Sequence, residues 1–226
     1  MFYGYGYYDP TYILLLPAML FALYAQTKIS TTFSRFLRVR NSNGFTGYEV
    51  ARRILDANGL YDVSIEMIRG NLTDHYDPRK RVLRVSYDVY NGNSIASAGV
   101  AAHECGHAIQ HSEHYAPLMI RNIIAPIASF GSQAAWFLIL IALILNIMEL
   151  FTLGIYFFSA AVLFQIITLP VEYNASKRAI MALEDYGLVA RGEIYGAKKV
   201  LSAAALTYVA ATVTAILQLL RLLMIR

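Results

Sequence analysis

Four long apolar segments constrain this sequence more than any other feature. They run from about Tyr12 to Thr27, from Asn122 to Met148, from Leu150 to Val171 and from Val200 to Leu220. A helix needs about 20 mainly apolar residues to cross a bilayer. The last three segments reach that length, whereas the first is shorter and contains Pro17. Because only 15% of the residues are charged, the polar remainder is too small to enclose four such helices. The sequence therefore predicts a mainly α membrane protein with about four transmembrane helices.

A tyrosine-rich stretch precedes the first apolar segment. Its members are Tyr3, Tyr5, Tyr7, Tyr8 and Tyr12. Aromatic rings of this type are enriched at the membrane–water interface, so the stretch fits an interfacial belt. The segment lacks the basic region and the small-residue cleavage site of a cleaved signal peptide. We therefore expect residues 1–28 to be a retained anchor.

A short turn near Asn146–Glu149 separates the second and third apolar segments, which predicts a helical hairpin. The hairpin lies between two polar blocks, residues 28–121 and 172–199. Within the second block, a helix is predicted from Glu172 to Leu188 as a continuation of the third segment. Because two crossings return the chain to the side on which it began, both blocks face the same side and can build one domain.

The basic residues are concentrated in these two polar blocks. Of the 19 Lys and Arg residues, all but Arg221 and Arg226 lie there. The positive-inside rule therefore predicts that the blocks are cytoplasmic. The formal net charge of +4 alone is compatible with nucleic-acid binding, but its distribution indicates the lipid bilayer as the partner. Cys105 is the only cysteine, which excludes an intrachain disulfide.

Periodicity in the first polar block predicts an α+β domain with a small β-sheet. Residues 47–58 and 94–111 carry apolar side chains at helical spacing. Residues 63–68 and 81–86 alternate apolar and polar side chains, as strands do. Asp77-Pro78 marks a turn between these two strands.

The strongest chemical signal is an HExxH motif, His103-Glu104-Cys105-Gly106-His107, in the second predicted helix. Positions i and i+4 share one face of a helix, so the two histidines can bind one Zn²⁺ ion. Glu104 lies beside the first ligand and can act as general base on a zinc-activated water. Small residues around the motif let neighbouring elements pack closely. The motif predicts a catalytic zinc site.

A catalytic zinc ion needs a third protein ligand and an open fourth position. Glu113 stands where metzincins place their third histidine, but Gln110 replaces the glycine typical of that class. His111 and His114 are nearby alternatives. Glu172 leaves the third apolar segment on the same side as the motif, which is the arrangement of a Glu-zincin. We favour Glu172.

Three runs of sequence resemble the bacterial YugP-like neutral zinc metallopeptidase family. They are Leu72–Pro78 (LTDHYDP), Val100–Gln110 (VAAHECGHAIQ) and Leu169–Ser176 (LPVEYNAS). The similarity spans most of the chain, including the membrane segments. The chain is also distantly similar to the HtpX-like membrane peptidases, whose third zinc ligand is the glutamate of an ExxAD motif. The resemblance implies a zincin-like catalytic domain that binds one zinc ion through His103, His107 and Glu172.

The chain departs from the ExxAD pattern at Ser176, where that motif has aspartate. The change removes a carboxylate of the kind that often orients a histidine ligand. We therefore expect the orienting partner elsewhere. Asp185 is a candidate, although a straight helix places it roughly 20 Å from Glu172, and a solvated surface position fits it better.

The segment from Thr73 to Asp77 is the second candidate for chemistry. His75 or Tyr76 can stabilise the oxyanion that develops during peptide hydrolysis, as hydrogen-bond donors do in acyl transfer. An Asx-type turn explains the same residues without catalysis. Arg178 can supply a similar charge, although it also fits a membrane-flanking anchor.

Together these features predict a membrane-bound zinc endopeptidase that acts on membrane or membrane-proximal polypeptides, with Glu104 as general base. The chain divides into residues 1–28 as N-terminal anchor, 29–121 as catalytic region, 122–171 as transmembrane hairpin, 172–199 as second catalytic segment and 200–226 as C-terminal transmembrane helix. The location predicted is a bacterial cell membrane with the catalytic domain in the cytoplasm.

Three other interpretations remain open. An intramembrane zinc protease requires an LDG-type motif, which the sequence lacks, and polar residues flank the HExxH helix. A non-catalytic scaffold with structural zinc requires a fourth ligand, for which Cys105, His111 and Glu113 are the candidates. A transporter requires charged residues within the spans, and the apolar segments lack them.

Overall fold

The computed structural model describes residues 10–225, which form seven α-helices and a three-stranded sheet. In chain order these are α1 (Leu16–Leu37), α2 (Gly47–Ala57), β1 (Ser64–Ile68), β2 (His75–Asp77), β3 (Val82–Ser86), α3 (Tyr87–Tyr90), α4 (Ile95–Ser112), α5 (Ala116–Leu145), α6 (Met148–Asp185) and α7 (Ile194–Ile225). A 3₁₀ helix, Pro10–Leu15, leads into α1. Of the described residues, 74% are helical, so the predicted fold class is confirmed.

Helices α1, α5, α6 and α7 are long and apolar enough to cross a membrane. Pro17 lies in the first turn of α1, where a residue without an N–H is tolerated, so it does not interrupt the helix. Helix α6 runs unbroken from the third apolar segment through Glu172 to Asp185. It ends three residues before the predicted Leu188, because Gly187 adopts a left-handed conformation with φ of +59°. Tyr3, Tyr5, Tyr7 and Tyr8 lie outside the described residues.

The predicted hairpin is confirmed between α5 and α6. Asn146 ends α5 in the left-handed conformation with φ of +56°, and α6 begins two residues later. Small side chains hold the helices close together. A Cβ on Gly154 would lie 2.7 Å from the Ile139 side chain and 3.2 Å from the Ala135 carbonyl. The close packing of α5 against α6 thus fixes the direction in which α6 returns to the polar domain.

Helix α2 has the local structure that its sequence predicts. The Thr46 hydroxyl accepts the Glu49 N–H, and the Glu49 carboxylate accepts the Thr46 N–H. This capping box satisfies two N–H groups that the first turn leaves free. Val50, Ile54 and Leu55 are fully buried, which confirms the predicted apolar face.

The sheet contains both predicted strands and a third that the sequence did not reveal. Its order is β1-β3-β2, with β1 parallel and β2 antiparallel to β3. The prediction that Asp74, His75, Tyr76 and Asp77 form a turn was wrong for the last three, since His75 pairs with Arg84 and Asp77 with Val82. Three residues are too few to display an alternating pattern. β2 is an edge strand, and it lies beside the HExxH helix.

Helix α4 carries the HExxH motif through the centre of one hydrophobic core. That core joins residues of α2 and β3 to the domain-side ends of α1, α6 and α7. The helix begins at Ser94, whose hydroxyl accepts the Ser97 N–H. At Gly106 an added Cβ would lie 2.6 Å from the Ala175 carbonyl oxygen of α6. Only glycine therefore permits the two helices to approach at this point.

We expect Gly106→Ala to destabilise the protein by about 1–3 kcal/mol, because the methyl group would push α4 away from the α6 backbone. Thermal unfolding in detergent micelles, followed by circular dichroism, measures the effect. Gly192→Ala is the matched control, since a Cβ there meets no atom within 4 Å. Equal melting temperatures for the two variants would contradict the packing argument.

Candidate metal centre

His103, His107 and Glu172 form a compact cluster of metal-ligating side chains. Their ligand atoms all lie within 4.8 Å of one another. Glu172 Oε2 lies 3.3 Å from His103 Nε2 and 3.6 Å from His107 Nε2. The imidazole centroids are 4.8 Å apart, as expected for i and i+4 on one face of α4. Helix α4 and helix α6 thus supply the three groups that could hold a metal.

The two distances between Glu172 and the histidines fit a zinc ion. With ligand bonds of about 2.0–2.1 Å, the ligand atoms of a tetrahedral site lie roughly 3.3–3.4 Å apart. The two distances from Glu172 to the histidines match that edge within 0.3 Å. Two imidazoles and one carboxylate are also a donor set of catalytic zinc sites, which keep the fourth position open.

Ser176 orients the first histidine. Its hydroxyl lies 3.2 Å from His103 Nδ1, one helical turn beyond Glu172. If Nδ1 carries the proton and donates to this hydroxyl, Nε2 presents its lone pair towards Glu172. The expectation that the orienting group lies elsewhere was therefore wrong, because a hydroxyl at the aspartate position of ExxAD still reaches the ring. Asp185 is exposed, as a surface charge.

Gln110 orients the second histidine, and its own orientation is fixed. Its Nε2 donates to the Val171 carbonyl and to Asn174 Oδ1, both at 2.9 Å. Gln110 Oε1 must then be the acceptor for His107 Nδ1, 3.0 Å away. This assignment places the proton on Nδ1 and leaves the His107 Nε2 lone pair free for a metal.

The network continues from Asn174 to the end of α4. Arg178 donates its Nε to Asn174 Oδ1 at 2.8 Å and pairs with Glu113 at 2.6 Å. The guanidinium holds the pKa of Glu113 below its usual value. Arg178 is thus committed to Asn174 and Glu113, away from the three ligand atoms. Glu113 forms an ion pair and is not part of the cluster.

The other proposed ligands are also directed elsewhere. His111 Nδ1 lies 3.0 Å from the Tyr76 hydroxyl. His114 is exposed, with a φ of +55° just past the end of α4. The Cys105 thiol faces α2, where it contacts the Ala51 carbonyl at 3.6 Å, and burial raises its pKa. In the described part of the chain, none of Cys105, His111, His114 and Glu113 therefore supplies the fourth protein ligand that a structural zinc site needs.

Glu104 lies beside the cluster and lines two cavities. Its side chain is buried, and burial raises its pKa, although the neighbouring histidines oppose that change. The larger cavity, about 430 Å³, lies between α1, α4 and α7. The smaller, about 120 Å³, contains His107 and Glu172 in its wall. Asp74, Glu104 and Tyr208 line both cavities.

The predicted oxyanion candidates lie at the smaller cavity. His75 and Tyr76 both line it. His75 is exposed, with Nδ1 2.9 Å from the Thr73 carbonyl, and the Tyr76 hydroxyl contacts His111. The oxyanion role of both residues therefore stays a prediction, because their polar atoms already contact the Thr73 carbonyl and His111.

Sequence reasoning missed two further residues of this cavity, Tyr208 and Arg121. Arg121 Nη2 lies 3.8 Å from Glu172 Oε1, the oxygen that faces away from the histidines. Tyr208 of α7 interacts with the same carboxylate. Neither residue lies in a recognisable motif, and their positions depend on how α5 and α7 pack. The one sequence signal for Arg121 is its position as a charged residue directly before the apolar segment that begins at Asn122.

Comparison with known proteins extends the resemblance to nearly the whole chain. Residues 11–226 match the family described as "Putative neutral zinc metallopeptidase". "Putative membrane protease YugP" of Bacillus subtilis (strain 168) is 50% identical over 212 residues, which are 94% of this chain and 94% of that protein. No solved structure matches the chain. The family resemblance found in three short runs is therefore confirmed.

We expect Gln110→Ala to weaken zinc binding by about 10–100-fold, because His107 loses the partner that fixes its tautomer and ring orientation. Competition with a chromophoric chelator, using purified protein in micelles, measures the affinity. Gln133→Ala is the control, since Gln133 is exposed on α5. An unchanged affinity in Gln110→Ala would exclude an orienting role for this side chain.

Proposed function

Because this chain belongs to the neutral zinc metallopeptidase family, we propose that it is a membrane-bound zinc endopeptidase. The observation that carries the proposal is the cluster of His103, His107 and Glu172 with the buried Glu104 at its side. The cluster opens into two cavities. A site built only to hold metal would need neither a buried carboxylate next to the ligands nor an adjacent cleft.

Glu104 is the general base of the proposed reaction. A zinc ion held by the three ligands supplies Lewis acidity that activates water and polarises the scissile carbonyl. Glu104 takes a proton from the attacking water and delivers it to the leaving amine. Burial raises the pKa of Glu104, and a base is most effective when its pKa lies near the working pH. Its buried position is thus suited to both proton transfers.

Tyr208 is the best-placed group to stabilise the negative charge on the carbonyl oxygen. It lines both cavities together with Glu104, and its phenol is a neutral hydrogen-bond donor. Arg121 stands on the outer side of Glu172, where its charge offsets part of the negative charge of the site. His75 and Tyr76, which line the smaller cavity, remain the competing candidates. Removal of one such donor typically costs about 10²–10³ in kcat.

The substrate is an extended polypeptide that passes Glu104 from one cavity to the other. The edge strand β2 is positioned to pair with it by strand addition, since only its β3 side is occupied. The larger cavity takes part of its wall from Gln26 and Ile29 of α1 and from Ala204 of α7. Because these helices are candidate membrane spans, we propose membrane or membrane-proximal polypeptides as substrates.

We propose that residues 29–121 and 172–199 form the catalytic domain and that it lies in the cytoplasm of a bacterial cell. The concentration of Lys and Arg in these blocks supports this orientation. Arg221, at the opposite end of α7, is buried against Tyr12 and Thr11.

We expect Glu104→Gln to retain zinc and to lose cleavage by at least about 10²-fold, because the amide cannot accept the proton. Glu172→Ala should lose both zinc and activity. Metal analysis of purified protein, with casein hydrolysis in micelles, measures the two properties. Glu113→Gln is the matched control, since Glu113 pairs with Arg178 and not with the cluster. Wild-type cleavage by zinc-loaded Glu104→Gln would refute the mechanism.

We expect Tyr208→Phe to lower kcat by about 10²–10³-fold with little change in KM, because the lost donor acts mainly in the transition state. Tyr76→Phe and His75→Ala, measured in parallel, test the two competing donors. Zinc content is determined for each variant, since Tyr208 also touches Glu172. A kcat loss confined to Tyr76→Phe or His75→Ala would transfer the role to that residue.

A further inference from the structure

A third cavity of about 560 Å³ lies between α1 and α7, apart from the metal centre. It is formed by the end of α1 and the beginning of α7, where both helices meet the polar domain. Its wall consists of Lys28, Thr32, Arg35, Phe36, Tyr195, Lys198, Lys199, Ser202, Ala203 and Leu206. No metal ligand and no part of the Glu104 cleft contributes to it, so the proposed peptidase reaction does not explain it.

The cavity has a strongly positive wall. It contains the four cations Lys28, Arg35, Lys198 and Lys199 and not one carboxylate. In the part of the chain that the structure describes, none of the four forms a salt bridge, whereas Arg52, Arg81, Arg84 and Arg178 all do. All four side chains are exposed, and like charges that line one cavity repel one another. An anionic ligand would relieve that repulsion.

Two of the lysines are supported by tyrosines that mark a membrane interface. The Lys28 ammonium donates to the Tyr24 hydroxyl at 2.9 Å, and the Lys199 ammonium lies 4.5 Å from the Tyr195 ring centroid. Both tyrosines are exposed on neighbouring candidate spans. Tyrosine is enriched where a span meets the headgroup region. The cations therefore stand at headgroup level, beside the surface of the bilayer.

The rest of the wall combines apolar and hydroxyl-bearing side chains. Phe36, Ala203 and Leu206 lie beside the cations, and the hydroxyls of Thr32 and Ser202 complete it. Phe36 packs closely against α7 because Gly196 leaves room for it. A Cβ on Gly196 would lie 2.8 Å from the Phe36 ring. A cavity lined by both cations and hydrocarbon side chains matches an amphiphile better than a small soluble ion.

We infer that this cavity is a binding site for an anionic phospholipid. The headgroup phosphate is held by the cations of α1 and α7, with Thr32 and Ser202 as hydrogen-bond donors. The first part of an acyl chain covers Phe36 and Leu206. Basic pockets between transmembrane helices bind acidic lipid headgroups in this way. The occupant is a bilayer lipid, because a free phosphate would leave the apolar residues Phe36, Ala203 and Leu206 of the lining without a partner.

The test is native mass spectrometry of the full-length protein in a neutral detergent, titrated with phosphatidylglycerol or with phosphatidylcholine of the same chains. We expect at least tenfold tighter binding of one phosphatidylglycerol molecule. The combined K28Q/R35Q/K198Q/K199Q substitutions should reduce that affinity to the level of phosphatidylcholine. Soluble glycerol phosphate should fail to displace the lipid.

The control carries R69Q/R79Q/K80Q/R191Q, which removes the same charge from exposed positions outside the cavity, and it should bind phosphatidylglycerol like wild type. An equal loss of phosphatidylglycerol affinity in both variants would show that the lipid is attracted by surface charge in general, and it would overturn the proposal. Equal binding of both lipids, or displacement by glycerol phosphate, would also overturn it. Circular dichroism confirms folding, and K198Q/K199Q replaces the fourfold variant if that one is unfolded.

Discussion

The contact between α4 and α6 at Gly106 is the constraint on which the site depends. Neither helix holds a complete ligand set, since α4 carries His103 and His107 and α6 carries Glu172. The missing side chain at Gly106 lets the Ala175 backbone approach α4, and Ala175 lies between Glu172 and Ser176. The same close approach therefore delivers the third ligand and the hydroxyl that orients His103. The membrane hairpin sets this approach, because it returns α6 to the domain.

This dependence explains which parts of the molecule were predictable from sequence. The four spans, the helix around Ile54 and the HExxH helix each have a periodic pattern or a motif within one stretch of chain. Glu172 was predictable because a two-helix hairpin returns the chain to the side of the membrane on which the HExxH helix lies. Gln110, Tyr208 and Arg121 were not predictable, since each acts across two elements whose packing no local pattern encodes. The strand at His75–Asp77 was missed because it is too short to show alternation.

The burial of Glu104 links the fold to the chemistry. A carboxylate in the interior costs free energy unless charges or hydrogen bonds compensate it. Glu104 has only the two histidines to favour its charged form, while Glu172 and Asp74 oppose it. The fold thus tolerates a destabilised group next to the metal ligands, which is the usual position of a general base rather than of a structural residue.

The serine at the ExxAD aspartate position follows from the same charge balance. Glu172 and Asp74 already bring two further carboxylates close to the buried Glu104, and both disfavour its charged form. Another aspartate would increase that repulsion, whereas the Ser176 hydroxyl keeps the hydrogen bond to His103 without adding charge. Gln110 does the same for His107 with a neutral amide. Neutral partners orient both histidines, so the negative charge of the site is confined to the candidate ligand Glu172, the proposed base Glu104 and Asp74.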